Sequence, residues 1–250
     1  MDEQEKIKRL EELKKQREEL DKLIKDLTES VTGPTNIPYT TVYTTVFPPY
    51  TSSIDFSAID PKDLLQIKIF VNKKCNQVST DFSHTINLVN EMLPFRDNIA
   101  FKEIFLRKLL DQGRVQVSGH FESYKPLSFL LFKLDSPDII NTYVRLLITK
   151  QGSESELKGM YAIYFGFLNL KEDIDGCWLW MASILNVNPN RFTGYVLEVF
   201  LVICGDLLFE KIQTQFAGIL RYIKKFYLKE LGNAPVESRI SRLLSKYQNC

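Results

Sequence analysis

Most of this chain carries apolar residues at the spacing of an amphipathic helix, and this feature most limits the folds it can adopt. From Asp60 onward, apolar side chains recur about every 3.6 residues, interrupted by short segments with proline or glycine. Asp60 followed by Pro61 is a typical helix start, because aspartate caps free N–H groups and proline has none to satisfy. The pattern predicts helices over 62–93, 98–112, 124–134, 138–150, 156–169, 176–187, 191–208, 210–231 and 235–248.

Short connections between successive helices indicate an all-α chain in which neighbouring helices run antiparallel. We therefore predict a HEAT-like or MIF4G-like helical repeat domain over residues 62–250 rather than a four-helix bundle. The sequence itself shows no clean repeat, so any repeat is structural. The segment 113–121, "GRVQVSGHF", is the one stretch of the domain that alternates as a strand would.

Two segments of different composition precede this domain. Residues 1–30 consist mostly of Glu, Lys, Leu and Arg, and Leu13, Leu20 and Leu27 lie seven apart, which predicts a short coiled-coil helix, either single or associated with a partner. Residues 31–61 are rich in Pro, Thr and Tyr and are interpreted as a linker. The alternative is that their aromatic and β-branched residues lie in a groove of the following domain or add to a partner strand.

The sequence offers little that could perform catalysis. Its two histidines, His84 and His120, are not part of a recognised nucleophile motif. A Walker A loop, a dinucleotide-binding glycine pattern and an H-E-x-x-H motif are all missing from the sequence. We expect a protein that is not an enzyme and that acts through a partner.

Charge and cysteine content limit the possible ligands. The net charge of +1 gives no general attraction to polyanions, so a basic site must be local. The four cysteines form no C-x-x-C pair, which argues against disulfides and against a metal site. The first residues are too charged for a secretory signal, and the longest apolar stretch is interrupted by Glu198. We expect a soluble intracellular chain that does not engage a membrane.

Positive charge concentrates in three clusters of the helical domain. Each alone is typical of the solvated face of an amphipathic helix, but clusters from stacked helices could converge on a polyphosphate. Binding to RNA would also require exposed aromatic rings, and most aromatic residues here occupy apolar helical positions, so no direct contact with nucleic acid is expected. The clusters are Lys68, Lys73 and Lys74; Lys102, Arg107 and Lys108, followed by Arg114; and the basic face Arg221, Lys224, Lys225 and Lys229.

Two stretches carry a resemblance to a known family. One begins with "GCWLWMASILN", Gly176 to Asn186, and continues through "VICG" at 202–205 and "QTQF" at 213–216 to Lys224 and Lys225. The other is "LLDQGRVQVSGHFESYKPLSFLL" at 109–131. Together they resemble the C-terminal domain of the Gle-one family of nuclear-pore mRNA-export factors, and the resemblance covers roughly 65–248. The positions that match in the second stretch are Gln112, Gly113, Val117, Pro126 and Leu127.

This resemblance implies a HEAT-like domain that binds a DEAD-box RNA helicase at the cytoplasmic face of the nuclear pore complex. Such a domain stimulates the helicase ATP cycle by binding its states differently, which requires no catalytic residue of its own. In many members, inositol hexakisphosphate is held between the two proteins. The family also implies an FG nucleoporin segment that docks near the C-terminal half of the domain.

The resemblance also implies where inositol hexakisphosphate would bind. Lys73 and Lys74 match a basic pair of the family, and Arg107 and Lys108 are the candidates on the following helices. Lys68 and Lys102 complete the candidate set. The acidic E-T-E of the family is replaced here by residues 114–116, "RVQ", and the positive charges are fewer than a hexakisphosphate needs. Two alternatives stay open: this member binds the cofactor weakly, or it activates its helicase without it.

The two tryptophans allow two interpretations. Trp178 continues to Met181, and Trp180 continues to Ile184, so the helix carries two adjoining apolar stripes. A helix of this kind packs between neighbours, and both tryptophans are therefore interpreted as core residues. The alternative is that a groove for the nucleoporin segment is lined by Trp180, Phe192 and Tyr195.

We therefore hypothesise from the sequence that the chain is an mRNA-export factor that activates a DEAD-box helicase. We expect it at the cytoplasmic face of the nuclear pore complex, and in the nucleus and cytoplasm. One alternative is a generic α-solenoid scaffold of the translation-initiation middle-domain type, which also binds a DEAD-box helicase. Another is a helical RNA-binding protein that uses the basic face.

Overall fold

The structure is a computed structural model that describes residues 55–136, 138–190 and 192–247, all within one compact unit, Pro38–Cys250. The predicted coiled coil over 1–30 and most of the predicted linker over 31–61 lie outside the described residues. Regular structure in the described part is entirely helical, as the periodicity predicts. The α-helices are α1 Pro61–Asn76, α2 Phe82–Met92, α3 Ile99–Gln112, α4 Tyr124–Lys133, α5 Ile139–Ile148, α6 Glu154–Lys171, α7 Ile174–Leu185, α8 Thr193–Lys211, α9 Gln213–Tyr222 and α10 Ala234–Lys246.

The helices stack in two rows, which confirms a HEAT-like repeat architecture. Each even-numbered helix packs against the next, from α2 through α4, α6 and α8 to α10. The helices α1, α3 and α5 form the second row in the same way. The central helix α6 is buried around its whole circumference over Met160–Leu168, because it contacts α4, α5, α7 and α8. In the described residues, no helix has both the length and the apolar character that crossing a bilayer requires.

The beginning of the domain differs from the prediction in one respect. Asp60 accepts a hydrogen bond from the N–H of Lys62 at 2.8 Å and so caps α1 as expected. The predicted helix over 62–93, however, is two helices, because Asp81 accepts from the N–H groups of Ser83 and His84 and starts α2. Neither proline nor glycine marks this break, which is why the periodic pattern runs through it.

The segment 113–121, whose sequence alternates as a strand would, does not form a strand. Residues Gly113–Val117 form a π-helical turn that continues α3, with the N–H of Ser118 donating to the carbonyl of Gly113. Gly113 and Val117 are buried, whereas Val115 between them is 69% exposed. The turn crosses α6 at Gly159, where the two backbones touch: a Cβ on Gly159 would lie 2.0 Å from the carbonyl oxygen of Gly113. We call Gly113–Val117 the first π segment.

The tryptophan helix α7 packs against α6 and α8. Trp180 is 1% exposed, and its ring lies 4.6 Å from that of Phe165 and 4.5 Å from that of Phe200, measured between centroids. The core interpretation is therefore confirmed for Trp180. It is wrong for Trp178, which is 41% exposed and lies outside the buried face of α7. That face is formed by Cys177, Trp180, Met181, Ser183 and Ile184.

Candidate functional site

The residues predicted to bind a polyphosphate lie on the adjacent helices α1 and α3. The ends of these helices are joined by a hydrogen bond of 2.8 Å from the side-chain amide of Gln112 to that of Asn76. This places Lys73 and Lys74 beside the last turns of α3, which carry Arg107 and Lys108. Cations at helix C-termini complement the negative end of the helix dipole, so the two lysines of α1 also stabilise their own helix.

Two of the six candidate charges are engaged inside the domain. Lys74 is buried and forms an ion pair with Glu91 of α2. Arg107 donates to Glu103 through Nε at 3.0 Å and through Nη2 at 2.6 Å. The Glu103 side chain is only 1% exposed, and a buried carboxylate is costly without a partner cation. Arg107 and Lys74 therefore add little net positive charge for a bound anion.

The other four candidates are better placed for a ligand. Lys68 and Lys73 are exposed, and Lys102 and Lys108 are half-buried. Within the described part of the chain, no carboxylate oxygen lies within 4.0 Å of these four amines. Burial raises the pKa of the Cys75 thiol of α1 to about 12, and the charge of Lys108 opposes that shift. These four lysines stay predicted ligands.

The predicted nucleoporin groove needs a correction. Trp180 and Phe192 are 1% and 7% exposed, so neither side chain can line a surface groove. Tyr195 is half-buried, and its hydroxyl accepts a hydrogen bond from the side-chain amide of Asn233 at 2.9 Å. The Lys158 Nζ lies 5.3 Å from the centre of the Tyr195 ring. Tyr195 stays a predicted contact residue.

Sequence reasoning missed a cleft beside Tyr195, between the first π segment, α6 and α8. Its volume is about 430 Å³, and its walls are mainly apolar, with Val117, Phe121 and Val202 among the lining residues. Lys158 and Glu198 line it as well. No local sequence pattern predicts this cleft, because its walls come from three separate parts of the chain.

The Glu198 carboxylate at this cleft joins three helices. It accepts a hydrogen bond from Lys158 of α6 at 2.8 Å and two from Arg239 of α10 at 2.7 and 3.1 Å. Burial raises the pKa of Glu198, but the hydrogen bonds from Arg239 and Lys158 outweigh burial, so the net pKa is lowered. The carboxylate therefore stays ionised at neutral pH and holds α6, α8 and α10 together.

We expect Glu198→Gln to lower the free energy of unfolding at pH 7 by about 1–3 kcal/mol, because two cations lose their partner. The stabilisation by the wild-type carboxylate is present above its ordinary pKa and is lost as the pH falls through the lowered folded-state pKa. The variant and the wild type should therefore converge in acid. Urea unfolding at neutral and acidic pH measures both effects. Glu122→Gln, which removes an exposed pair with Lys125, is the control and should cost less than about 1 kcal/mol.

Cysteine and histidine side chains among the described residues could act as nucleophiles, bases or metal ligands. Cys75, Cys177 and Cys204 are buried and free, and burial and a hydrogen bond with Cys177 raise the pKa of Cys204 well above its ordinary value. His120 Nδ1 lies 3.4 Å from the hydroxyl of Ser123. In the described part of the chain, no three His, Cys, Asp or Glu side chains come together as metal ligands would.

The basic face begins in the last turn of α9 and continues through the two short helical turns that follow it, and all four of its cations are exposed. The single helix predicted over 210–231 is interrupted: the chain leaves helical geometry at Ile212, and Ile223–Tyr227 form a second π-helical turn. The sequence reasoning missed that Tyr222 and Phe226 are also exposed here, by 44% and 51%. We call Ile223–Tyr227 the second π segment.

Comparison with solved structures identifies the fold of this chain. The chain resembles the Gle1 C-terminal domain in two solved complexes of the S. cerevisiae Dbp5 L327V C-terminal domain. For the complex bound to Gle1 and IP6, the TM-score is 0.66 at 15% identity over 78% of this chain and 88% of the other. For the complex with Gle1 H337R and IP6, the TM-score is 0.64 at 14% identity over 77% and 87%. No protein-family model and no curated protein matches the sequence.

Proposed function

We propose that this chain binds a DEAD-box RNA helicase of the Dbp5 kind and stimulates its ATP cycle in mRNA export, at the cytoplasmic face of the nuclear pore. The observation that carries the proposal is the fold match over 78% of the chain with a domain solved in complex with the Dbp5 C-terminal domain. The two stretches that resemble the Gle-one family support the fold on which the proposal rests, because they include residues that shape that fold. Gly113 forms the crossing with α6, and Trp180 lies in the core.

Such an activator works through binding alone. A protein that binds one arrangement of the two helicase lobes more tightly than another shifts the helicase towards that arrangement. If the favoured arrangement releases RNA and nucleotide faster, turnover rises. A tenfold preference corresponds to about 1.4 kcal/mol of differential binding.

Binding of the C-terminal helicase lobe tests this proposal. Calorimetric titration of that lobe, as an isolated Dbp5-like domain, into the full chain should give saturable one-to-one binding. The matched control is the corresponding lobe of the translation-initiation helicase. If the initiation lobe binds more tightly than the export lobe, the chain is the initiation-type scaffold instead. Absence of binding to the export lobe contradicts the proposal.

We further propose that inositol hexakisphosphate binds weakly to Lys68, Lys73, Lys102 and Lys108. The IP6 present in both similar complexes supports binding. Binding is weak because the ion pairs of Lys74 and Arg107 inside the domain reduce the net positive charge available to the ligand. Lys73 and Lys108 lie towards the C-terminal ends of α1 and α3, where the helix dipoles repel anions, so affinity depends on the lysines.

Calorimetry should give a micromolar or weaker dissociation constant for inositol hexakisphosphate, since each Lys–phosphate pair contributes modestly in salt. Lys73→Ala/Lys108→Ala should weaken binding by about tenfold or more. Lys62→Ala, an exposed lysine at the start of α1, is the control and should bind as the wild type does. Tight binding that survives the double substitution would place the site elsewhere.

A further inference from the structure

The end of α9 and the second π segment present aromatic rings and cations side by side. The rings of Tyr222 and Phe226 lie 5.7 Å apart, and both are about half exposed. Lys225 Nζ lies 5.0 Å from the centre of the Phe226 ring. Arg221 at the end of α9 and Lys229, two residues after the second π segment, are exposed as well. We call Arg221, Tyr222, Lys225, Phe226 and Lys229 the aromatic–basic face.

This face is held rigidly by the opposite side of the segment. Ile223 is fully buried and Tyr227 is 2% exposed, and the Tyr227 hydroxyl donates to the carbonyl of Ile184 on α7 at 2.7 Å. The N–H of Leu228 donates to the carbonyl of Ile223, five residues earlier, which closes the wide π turn. Because Ile223 and Tyr227 are anchored in the core, the residues that precede each of them, Tyr222 and Phe226, point towards solvent. Turns of this kind often occur at functional sites.

The cations of the face are available to a ligand. In the described ranges, no carboxylate oxygen lies within 4.0 Å of the side-chain nitrogens of Arg221, Lys225 or Lys229, although the exposed Glu230 follows in sequence. Other surface cations of the domain are paired, such as Lys246 with Asp206 and Lys211 with Glu172. Three cations without a carboxylate partner form a local excess of positive charge.

We propose that the aromatic–basic face binds single-stranded RNA. Unpaired bases stack on exposed aromatic rings, and phosphates pair with the flanking cations. Cations alone would suit any polyanion, but two neighbouring exposed rings suit the flat faces of unpaired bases. The expectation that this chain makes no direct contact with nucleic acid assumed that its aromatic residues are buried, and that assumption fails at Tyr222 and Phe226. This binding is separate from the proposed helicase contact.

Fluorescence anisotropy of a short labelled, unstructured RNA, with the full chain at about 50 mM salt, tests the proposal. Tyr222→Ala/Phe226→Ala should weaken binding by about tenfold or more, because base stacking is removed. Lys225→Gln/Lys229→Gln should weaken binding and reduce the salt slope by about 1.4, since each of two phosphate pairings contributes about 0.7 to that slope. Lys62→Gln/Lys133→Gln removes two exposed lysines of other helices and should leave the affinity within about twofold. Circular dichroism verifies that each variant is folded.

Several results would overturn the proposal. If the wild type does not bind the oligonucleotide, or if Tyr222→Ala/Phe226→Ala binds as the wild type does, the rings are not a stacking surface. Equal affinity for a blunt RNA duplex would also overturn it, because paired bases cannot stack on side chains. Equally strong displacement by polyglutamate, which would indicate an acidic protein as the ligand, contradicts it as well.

Discussion

Gly159→Ala is expected to lower the free energy of unfolding by more than about 3 kcal/mol. The added Cβ would lie 2.0 Å from the carbonyl oxygen of Gly113 and 3.0 Å from its carbon. Both atoms belong to the backbone, so no side-chain rotation relieves the contact. The first π segment would have to move away from α6, the central helix of the stack, and would open gaps in a close-packed core.

Gly218→Ala is the matched control for this prediction. Gly218 lies in α9, and a Cβ there would meet nothing within 4 Å. The substitution should leave stability unchanged or raise it by about 0.5–1 kcal/mol, because alanine loses less backbone entropy in a helix. Urea unfolding followed by circular dichroism measures both variants. If Gly159→Ala and Gly218→Ala have the same stability, the backbones of Gly113 and Gly159 are not in close contact.

Trp180→Ala is expected to cost about 3–5 kcal/mol, the usual range for removing a large buried aromatic residue. The ring is stacked on Phe200 with an interplanar angle of 28° and meets Phe165 edge to face at 71°. Its removal would leave a cavity shared by α6, α7 and α8. Trp180 Nε1 has no hydrogen-bond partner in the described residues, so the loss of stability comes from packing.

Trp178→Ala provides the comparison, because Trp178 is two residues away and 41% exposed. Its cost should stay below about 1 kcal/mol, as expected for a surface position. Thermal unfolding of both variants measures the difference, and tryptophan fluorescence of each single-tryptophan protein identifies the exposed ring by its emission at longer wavelength. A larger loss of stability in Trp178→Ala than in Trp180→Ala would contradict this orientation of α7, because it would mean that Trp178 is the buried ring.

The sequence predicts the helical class well because most helices obey one periodicity and begin at a recognisable cap. Asp60 and Pro61 locate the start of α1, and the break at 77–81 is missed because Asp81 caps α2 without a proline or glycine nearby. The first π segment is missed for another reason. Its valines alternate as in a strand, whereas its backbone is set by the close contact between Gly113 and Gly159, which are far apart in sequence.

The candidate sites depend on contacts that no local pattern reveals. Lys74 looks like its neighbour Lys73 in sequence, yet only Lys74 is paired with Glu91. The burial of Glu103, which engages Arg107, depends on helices that pack over α3. The exposure of Tyr222 and Phe226 depends on the interruption at Ile212 and on the wide turn of the second π segment. An uninterrupted α-helix over 210–231 would direct the side chains of Tyr222 and Phe226 differently.

The measurement that tests the proposed function most directly is the steady-state ATPase rate of a Dbp5-like helicase with RNA, titrated with the full chain. We predict a saturable increase in rate, present without inositol hexakisphosphate and moderately strengthened by it. The translation-initiation helicase, measured in parallel, should respond less. An export-helicase rate that stays flat at saturating concentrations of the folded chain, with and without inositol hexakisphosphate, would contradict the proposal that this protein is a helicase activator.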